Sequence, residues 1–246
     1  MELIFIIIST FIISLISFVG MFCLLLKEKT LNKILLFFIS FSAGALLSGA
    51  FFHLLSEAIN EKSSNLIKIF LYFIFGYISF LFLEKIIKWR HCHDYKCKIH
   101  SFGYMNLVGD LLHNFIDGIV IASSFLVNLN FGFVTTFLIA LHEIPQELGD
   151  FGVLIYSGFK VKRAIFLNFI TALSCVLGGI VGYYFLGNIL SMIPILLSFA
   201  GGGFLYISSS DLIPILREKT KIKEFIKNFL VFLLGIILIY LITILE

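Results

Sequence analysis

Charged side chains are scarce in this 246-residue chain, at 13% of the total, against roughly 25% in an ordinary water-soluble domain. With 60% hydrophobic residues, that shortage excludes a solvated globular surface and makes lipid the solvent of most of the polypeptide. Only three prolines occur, and no Ser/Gly-rich linker marks a place to cut a second domain. Residues 1–246 therefore read as one transmembrane domain. The four cysteines, Cys23, Cys92, Cys97 and Cys175, form no disulfide framework, and two of them sit in apolar runs where a buried thiol is ordinary packing. A net charge of +3 is too small to argue for nucleic acid as a partner. The stretch Met1 to Leu26 lacks the basic start of a secretory leader, has Glu2 instead and stays apolar too long, so it reads as a first membrane span.

Long apolar runs recur along the whole chain. A hydrocarbon core about 30 Å thick takes roughly 20 apolar residues per helix, and eight such stretches fit. They lie near Leu3 to Leu26, Leu31 to Leu55, Leu66 to Ile87, Ser101 to Leu126, Phe131 to Tyr156, Ala164 to Leu186, Ile189 to Ile215 and Phe225 to Leu245. The expected fold is all-α and integral to the membrane. The loops after spans one, three, five and seven hold 16 of the 18 basic residues, leaving only Lys62 and Lys68 elsewhere. Basic loops face the cytosol, which puts both termini outside and requires an even number of spans. Gly44 precedes His53 by nine residues in span two, and Gly202 precedes Asp211 by nine in span seven. These spans run in opposite directions, so the pair reads as a trace of an inverted repeat of the kind found in secondary transporters.

Ionisable groups in mid-membrane are costly and mark pathways or sites. Span four reads GDLLHNFIDGIVIASSF, with Asp110, His113, Asn114 and Asp117; span five reads LHEIPQELGDFGVLIY, with His142, Glu143, Gln146, Glu147 and Asp150. Residues four apart share a helix face, which groups His113 with Asp117, His142 with Gln146 and Glu143 with Glu147. Antiparallel packing of the two spans brings Asp117 level with His142 and His113 level with Gln146. Beside these four, Asn114 and Glu143 make a second, more oxygen-rich set, which Asp117 or Glu147 could bridge. Imidazole with carboxylate suits zinc, iron or manganese, whereas an all-oxygen set would suit magnesium or calcium. Pro145 has no amide hydrogen for the Leu141 carbonyl, so a local kink is expected there.

At HNFIDG (His113 to Gly118) and HEIPQELGDF (His142 to Phe151) the chain resembles the ZIP family of zinc and iron transporters. SAGALLSGAFFHLLSEA in span two, LEK at Glu84, GDLLHNFIDG in span four and FAGGGFLYISSSDLIP in span seven are similar to the family as well. The resemblance implies eight helices in a 3+2+3 arrangement, extracytoplasmic termini and metal carried across the cell membrane into the cytosol, often by a homodimer. It implies a primary metal site at His113, Asp117, His142 and Gln146, and a secondary one at Asn114, Asp117 and Glu143. The nearest subfamily motif, His-Glu-x-Pro-His-Glu-x-Gly-Asp, has histidine where this chain has Gln146, a poorer zinc ligand. The expected function is secondary transport of a divalent transition metal, zinc first, with iron, manganese or cadmium as further candidates. The metal is cargo; no prosthetic group is expected, and the lipid bilayer is the other partner.

Three further features have weaker readings. The loop at about 88–100 carries His91, Cys92, His93, Asp94, Cys97 and His100 on the cytosolic side and could hold a departing ion. His53 and Glu57, four apart at the outer end of span two, could line the entrance, and Asp211 could do likewise in span seven. The rival from another class is an intramembrane metal-dependent enzyme of metalloprotease or di-iron type. His142-Glu143-Ile-Pro-Gln146 nearly spells His-Glu-x-x-His, but that zinc motif needs its second histidine, and no repeated Glu-x-x-His pairs support a di-iron centre.

Overall fold

The computed structural model describes residues 2–25, 28–60, 65–91, 100–189, 192–217 and 222–245, and among them there are only helices and short connections. Helix is what a bilayer demands, since it pairs every backbone group within its own segment where no water can do so. Span one is an α-helix over Glu2–Ile16 that tightens into 3-10 geometry over Ser17–Leu25. Span two runs as α-helix over Glu28–Ser48, π-helix over Gly49–Leu55 and α-helix again over Ser56–Asn60. Spans three, four and five are continuous helices over Leu66–His91, Ser101–Val127 and Leu129–Tyr156. Span six is two helices, Val161–Ala172 and Ser174–Ile189. Span seven combines α-helix Ile193–Tyr206, π-helix Ile207–Leu212 and α-helix Ile213–Arg217, and span eight is Ile222–Leu245.

Seven of these are long and apolar enough to cross a membrane. Span five is the exception, although its 28 residues extend about 42 Å at 1.5 Å per residue. Its C-terminal half carries His142, Glu143, Gln146, Glu147 and Asp150, all of them buried. Neighbouring helices, not lipid, solvate that stretch. Spans three and eight are the least buried, with 22% of each apolar window inside the protein, against 61% for spans two and four and 67% for span seven.

The helices pack in two groups. Spans one, four, five and six contact one another, as do spans two, three, seven and eight, and span five leans on span two between them. Two crossings in the second group use the same device. Where spans two and eight cross, a Cβ added to Gly44 would overlap the Phe232 carbonyl oxygen, and one on Gly235 would overlap that of Phe41. Where spans seven and three cross, Gly202 meets the Phe73 carbonyl and Gly76 that of Phe199 in the same way. Only glycine permits backbones this close, as is common between membrane helices. Gly44 and Gly202 are each followed by a polar residue nine positions further on, and these residues, His53 and Asp211, both fall inside π-helical segments.

Local sequence accounts for the irregularities. Pro214 stands two residues past the end of the second π segment, where its missing amide hydrogen and its ring disfavour the ordinary ladder four residues back, at Ser210. The break at Leu173 is stitched by hydroxyls: Ser14 Oγ donates to the Ala172 carbonyl at 2.8 Å, and Ser174 Oγ to the Leu111 carbonyl at 2.7 Å. Span five, by contrast, passes through Pro145 with no break in its helical backbone.

Candidate metal centre

Three helices supply the centre. His113 and Asp117 project from one face of span four, and His142 and Glu143 come from span five. His53 arrives from the π segment of span two. The π turn, wider than an α turn and common at functional sites, sets His53 against both other imidazoles, with ring centroids 5.8 Å from His113 and 4.8 Å from His142. His113 and His142 are themselves 5.5 Å apart.

The rings surround a carboxylate oxygen. Asp117 Oδ2 lies 3.2 Å from His142 Nε2 and 3.6 Å from His113 Nε2, while Glu143 Oε1 lies 3.4 Å and 3.8 Å from His113 and His142 Nε2 respectively. One ligand atom from each of His53, His113, Asp117 and His142 falls within 4.8 Å of all the others. Two donors on a tetrahedral zinc at about 2.1 Å stand roughly 3.4 Å apart. The shorter separations already match that spacing, and modest closure would bring in the rest.

The bonding is incomplete in a telling way. Both ring nitrogens of His113, both carboxylate oxygens of Glu143 and Asn114 Oδ1 are buried without a hydrogen-bond partner. Buried polar groups are normally satisfied, because each orphan costs about 1–3 kcal/mol. A concentration of lone pairs at the meeting point of two carboxylates and three imidazoles is what a bound cation would satisfy. A purely structural polar network would leave few such atoms.

Antiparallel helix geometry correctly anticipates Asp117 beside His142. His113 Nε2 lies 3.4 Å from Glu143 Oε1, and Gln146, one turn from His142, is buried with its Nε2 lacking a hydrogen-bond partner. Asn114 turns its amide nitrogen onto Asp110 Oδ1 at 2.7 Å, and the Glu147 carboxylate accepts from Asn168 Nδ2 on span six. Glu147 is not in the four-residue group. His53 is deeper than the entrance position expected of it, because the helix continues to Asn60 where the apolar run ends at Leu55. Glu57 and Asp211 stay outside the cluster, and residues 92–99 of the His/Cys loop lie outside the described residues.

A family model described as ZIP Zinc transporter matches residues 2–101 and 89–243. Zinc transporter zipt-7.1 of Caenorhabditis briggsae is similar at 27% identity over 87% of this chain and 71% of its own length. Zinc transporter ZIP13 of Pongo abelii is 33% identical over 82% of this chain and 65% of its own, and zinc transporter YKE4 of Saccharomyces cerevisiae 28% identical over 82% and 68%. The aligned part is only 32% of zinc transporter zipt-7.2 of Caenorhabditis elegans, so this chain spans between about a third and 71% of these relatives.

Proposed function

The chain belongs to the ZIP zinc transporter family, and from that premise we propose that it is a secondary carrier moving a divalent transition-metal ion to the face bearing the basic loops, the cytosol. Zinc is the leading cargo, in line with the names of its relatives; iron, manganese and cadmium fit the same ligand chemistry. The observation that carries the proposal is the convergence of His53, His113, Asp117 and His142 within 4.8 Å, at mid-span, among buried lone pairs with no partner.

In this reading His113, Asp117 and His142 bind the ion, with His53 closing the set from span two. Glu143 shares or receives it, and Gln146, Asn114 and Glu147 complete the polar path beside it. His53 stands on the helix group that contains spans three, seven and eight, and the other ligands on the group that contains spans one and six. A relative movement of the two groups would therefore remove one ligand and loosen the ion. The enzyme alternative is disfavoured by Gln146 at the second zinc position and by relatives that are named transporters.

Uptake of zinc, manganese, iron and cadmium by the purified protein in liposomes tests the proposal. Protein-dependent accumulation is expected, and sealed vesicles that take up no metal above empty controls would overturn it. Direction is tested in a background with the four cysteines replaced by serine. Cysteine at the exposed Lys160 should be labelled from the cytosolic side, and cysteine at the exposed Asn130 from the opposite one; the reverse pattern would invert the transport direction.

A further inference from the structure

Span three, one of the two least buried helices, borders an open groove. Its deeper part, about 460 Å3, runs between Ile78, Ser79 and Phe82 of span three, Val108 and Leu112 of span four and Phe199 of span seven, over a buried Phe80. Ser79 is the one polar side chain among the described residues that line it. A second compartment of about 310 Å3 lies nearer the start of span three, between Lys68, Tyr72 and Ile195 of span seven. Phe75 lines both, so they are neighbouring parts of one groove. Each falls in the range of about 300–1,000 Å3 typical of small-molecule sites.

The mouth of the groove carries a charge that the basic loops do not explain. Lys68 is one of only two basic residues outside those loops, at the opposite end of span three, exposed and just inside the apolar window Leu66–Ile86. The ion pairs among the described residues all join imidazoles to Asp117 or Glu143, and none involves Lys68. A lysine so placed keeps its stem in hydrocarbon and lifts its ammonium to the level of the lipid headgroups. Tyr72, four residues on, shares its helix face and brings a hydroxyl to the same level, where tyrosine is enriched. From Lys68 to Phe80 the helix extends about 18 Å at 1.5 Å per residue, close to the roughly 15 Å of hydrocarbon in one leaflet. Lys85, exposed near the other end of the span, lines neither compartment.

We propose that this groove is a binding site for one phospholipid of the leaflet opposite the basic loops, its phosphodiester on Lys68 and Tyr72 and one acyl chain lying past Phe75 into the compartment over Phe80. The occupant follows from the surroundings. Hydrocarbon, not water, bathes this stretch of the span, and a lone cation at one mouth selects a chain that ends in an anion. The site also joins the two helix groups, since Val108 and Leu112 stand on span four and the rest of the lining on spans three and seven. A lipid held there touches both groups at once, so their relative movement is coupled to the bilayer; that consequence rests on the transport reading above, and the binding itself does not.

Native mass spectrometry of the delipidated protein in detergent, titrated with palmitoyl-oleoyl phosphatidylglycerol or with the phosphate-free palmitoyl-oleoyl glycerol, tests this without transport. One tightly held phosphatidylglycerol per chain is expected, with the phosphate-free lipid bound more weakly. Lys68→Glu should weaken that event about fivefold or more, Ser79→Trp should abolish it by filling the groove, and Lys85→Glu should leave it unchanged. Equal binding of the two lipids, or parent affinity in Lys68→Glu, would overturn the proposal. Should Ser79→Trp fail to fold, Lys68→Glu decides alone, because its side chain is exposed and outside the core. A protein that binds no lipid but forms a dimer that Ser79→Trp splits would assign the groove to a second copy of the chain, and the phospholipid site would be wrong.

Discussion

The imidazole cluster and the oxygen cluster around Asp110 and Glu147 lie one helical turn apart on the same two helices, yet they are built to different ends. His53, His113 and His142 crowd around Asp117 with nitrogen-to-oxygen distances of 3.2 and 3.6 Å where they are closest. Asp110 and Glu147 are instead buttressed by Thr171, Asn114 and Asn168, with no imidazole in hydrogen-bonding contact. A third helix makes the difference. Span two contributes a ring to the first cluster, and span six contributes an amide and a hydroxyl to the second. Affinity for a transition metal follows the imidazoles, so the first cluster is the place where removal of one side chain should matter most.

Asp117→Ala or His142→Ala should reduce zinc uptake into liposomes by about 100-fold, about 2.8 kcal/mol at tenfold per 1.4 kcal/mol. Each removes one of the few donors facing the ion, and near-normal uptake in both would show that the cluster only fixes helix packing. Next in size, His53→Ala should cost about tenfold in zinc affinity. An effect confined to the uptake rate, with affinity unchanged, would return His53 to the entrance and leave the centre to spans four and five alone.

Gln146→His sharpens the contrast between the two clusters by adding a fourth imidazole to the first. Competition uptake should move towards zinc and cadmium over manganese by about fivefold or more. The same metal ranking as the parent would mean that Gln146 never reaches the ion. The smallest effect is expected for Asp110→Asn, which keeps the Thr171 and Asn114 positions within reach of a polar group. It should slow uptake about two- to fivefold while leaving the concentration for half-maximal uptake in place. A change in that concentration without a change in rate would assign Asp110 to the first cluster.

The two clusters are unequally legible in the residues alone. His113, Asp117, His142 and Glu143 stand out because ionisable groups at the middle of apolar runs are too costly to persist without a role, and the four-residue spacing puts them on definite faces. The oxygen cluster is only half visible. Asp110 and Glu147 are plain, but Asn168 and Thr171 look ordinary in span six, where an amide and a hydroxyl usually bond within the helix. Their spacing of three, on one face directed at two carboxylates, is the signal that the residues carry. The apolar run places His53 at the wrong depth, since polar Ser56, Glu57 and Asn60 end that run before the helix itself ends at Asn60. Pro145 suggests a kink, and span five nonetheless runs through it as one helix.

The sequence by itself determined that the chain is all-helical and membrane-spanning, which helices carry polar groups at mid-depth and what chemistry those groups offer. Apolar length, charge bias and helical period are properties of each segment taken alone. Tertiary structure decided which atoms meet: that His113 stands 3.4 Å from Glu143, that a π turn delivers His53, and that span six claims Asp110 and Glu147. Periodicity fixes the height and face of a residue on its own helix. The rotation and depth of one helix against the next are set by packing between them, as by the backbone contacts at Gly118 and Gly178 between spans four and six and at Gly44 and Gly235 between spans two and eight, and no single segment contains that information.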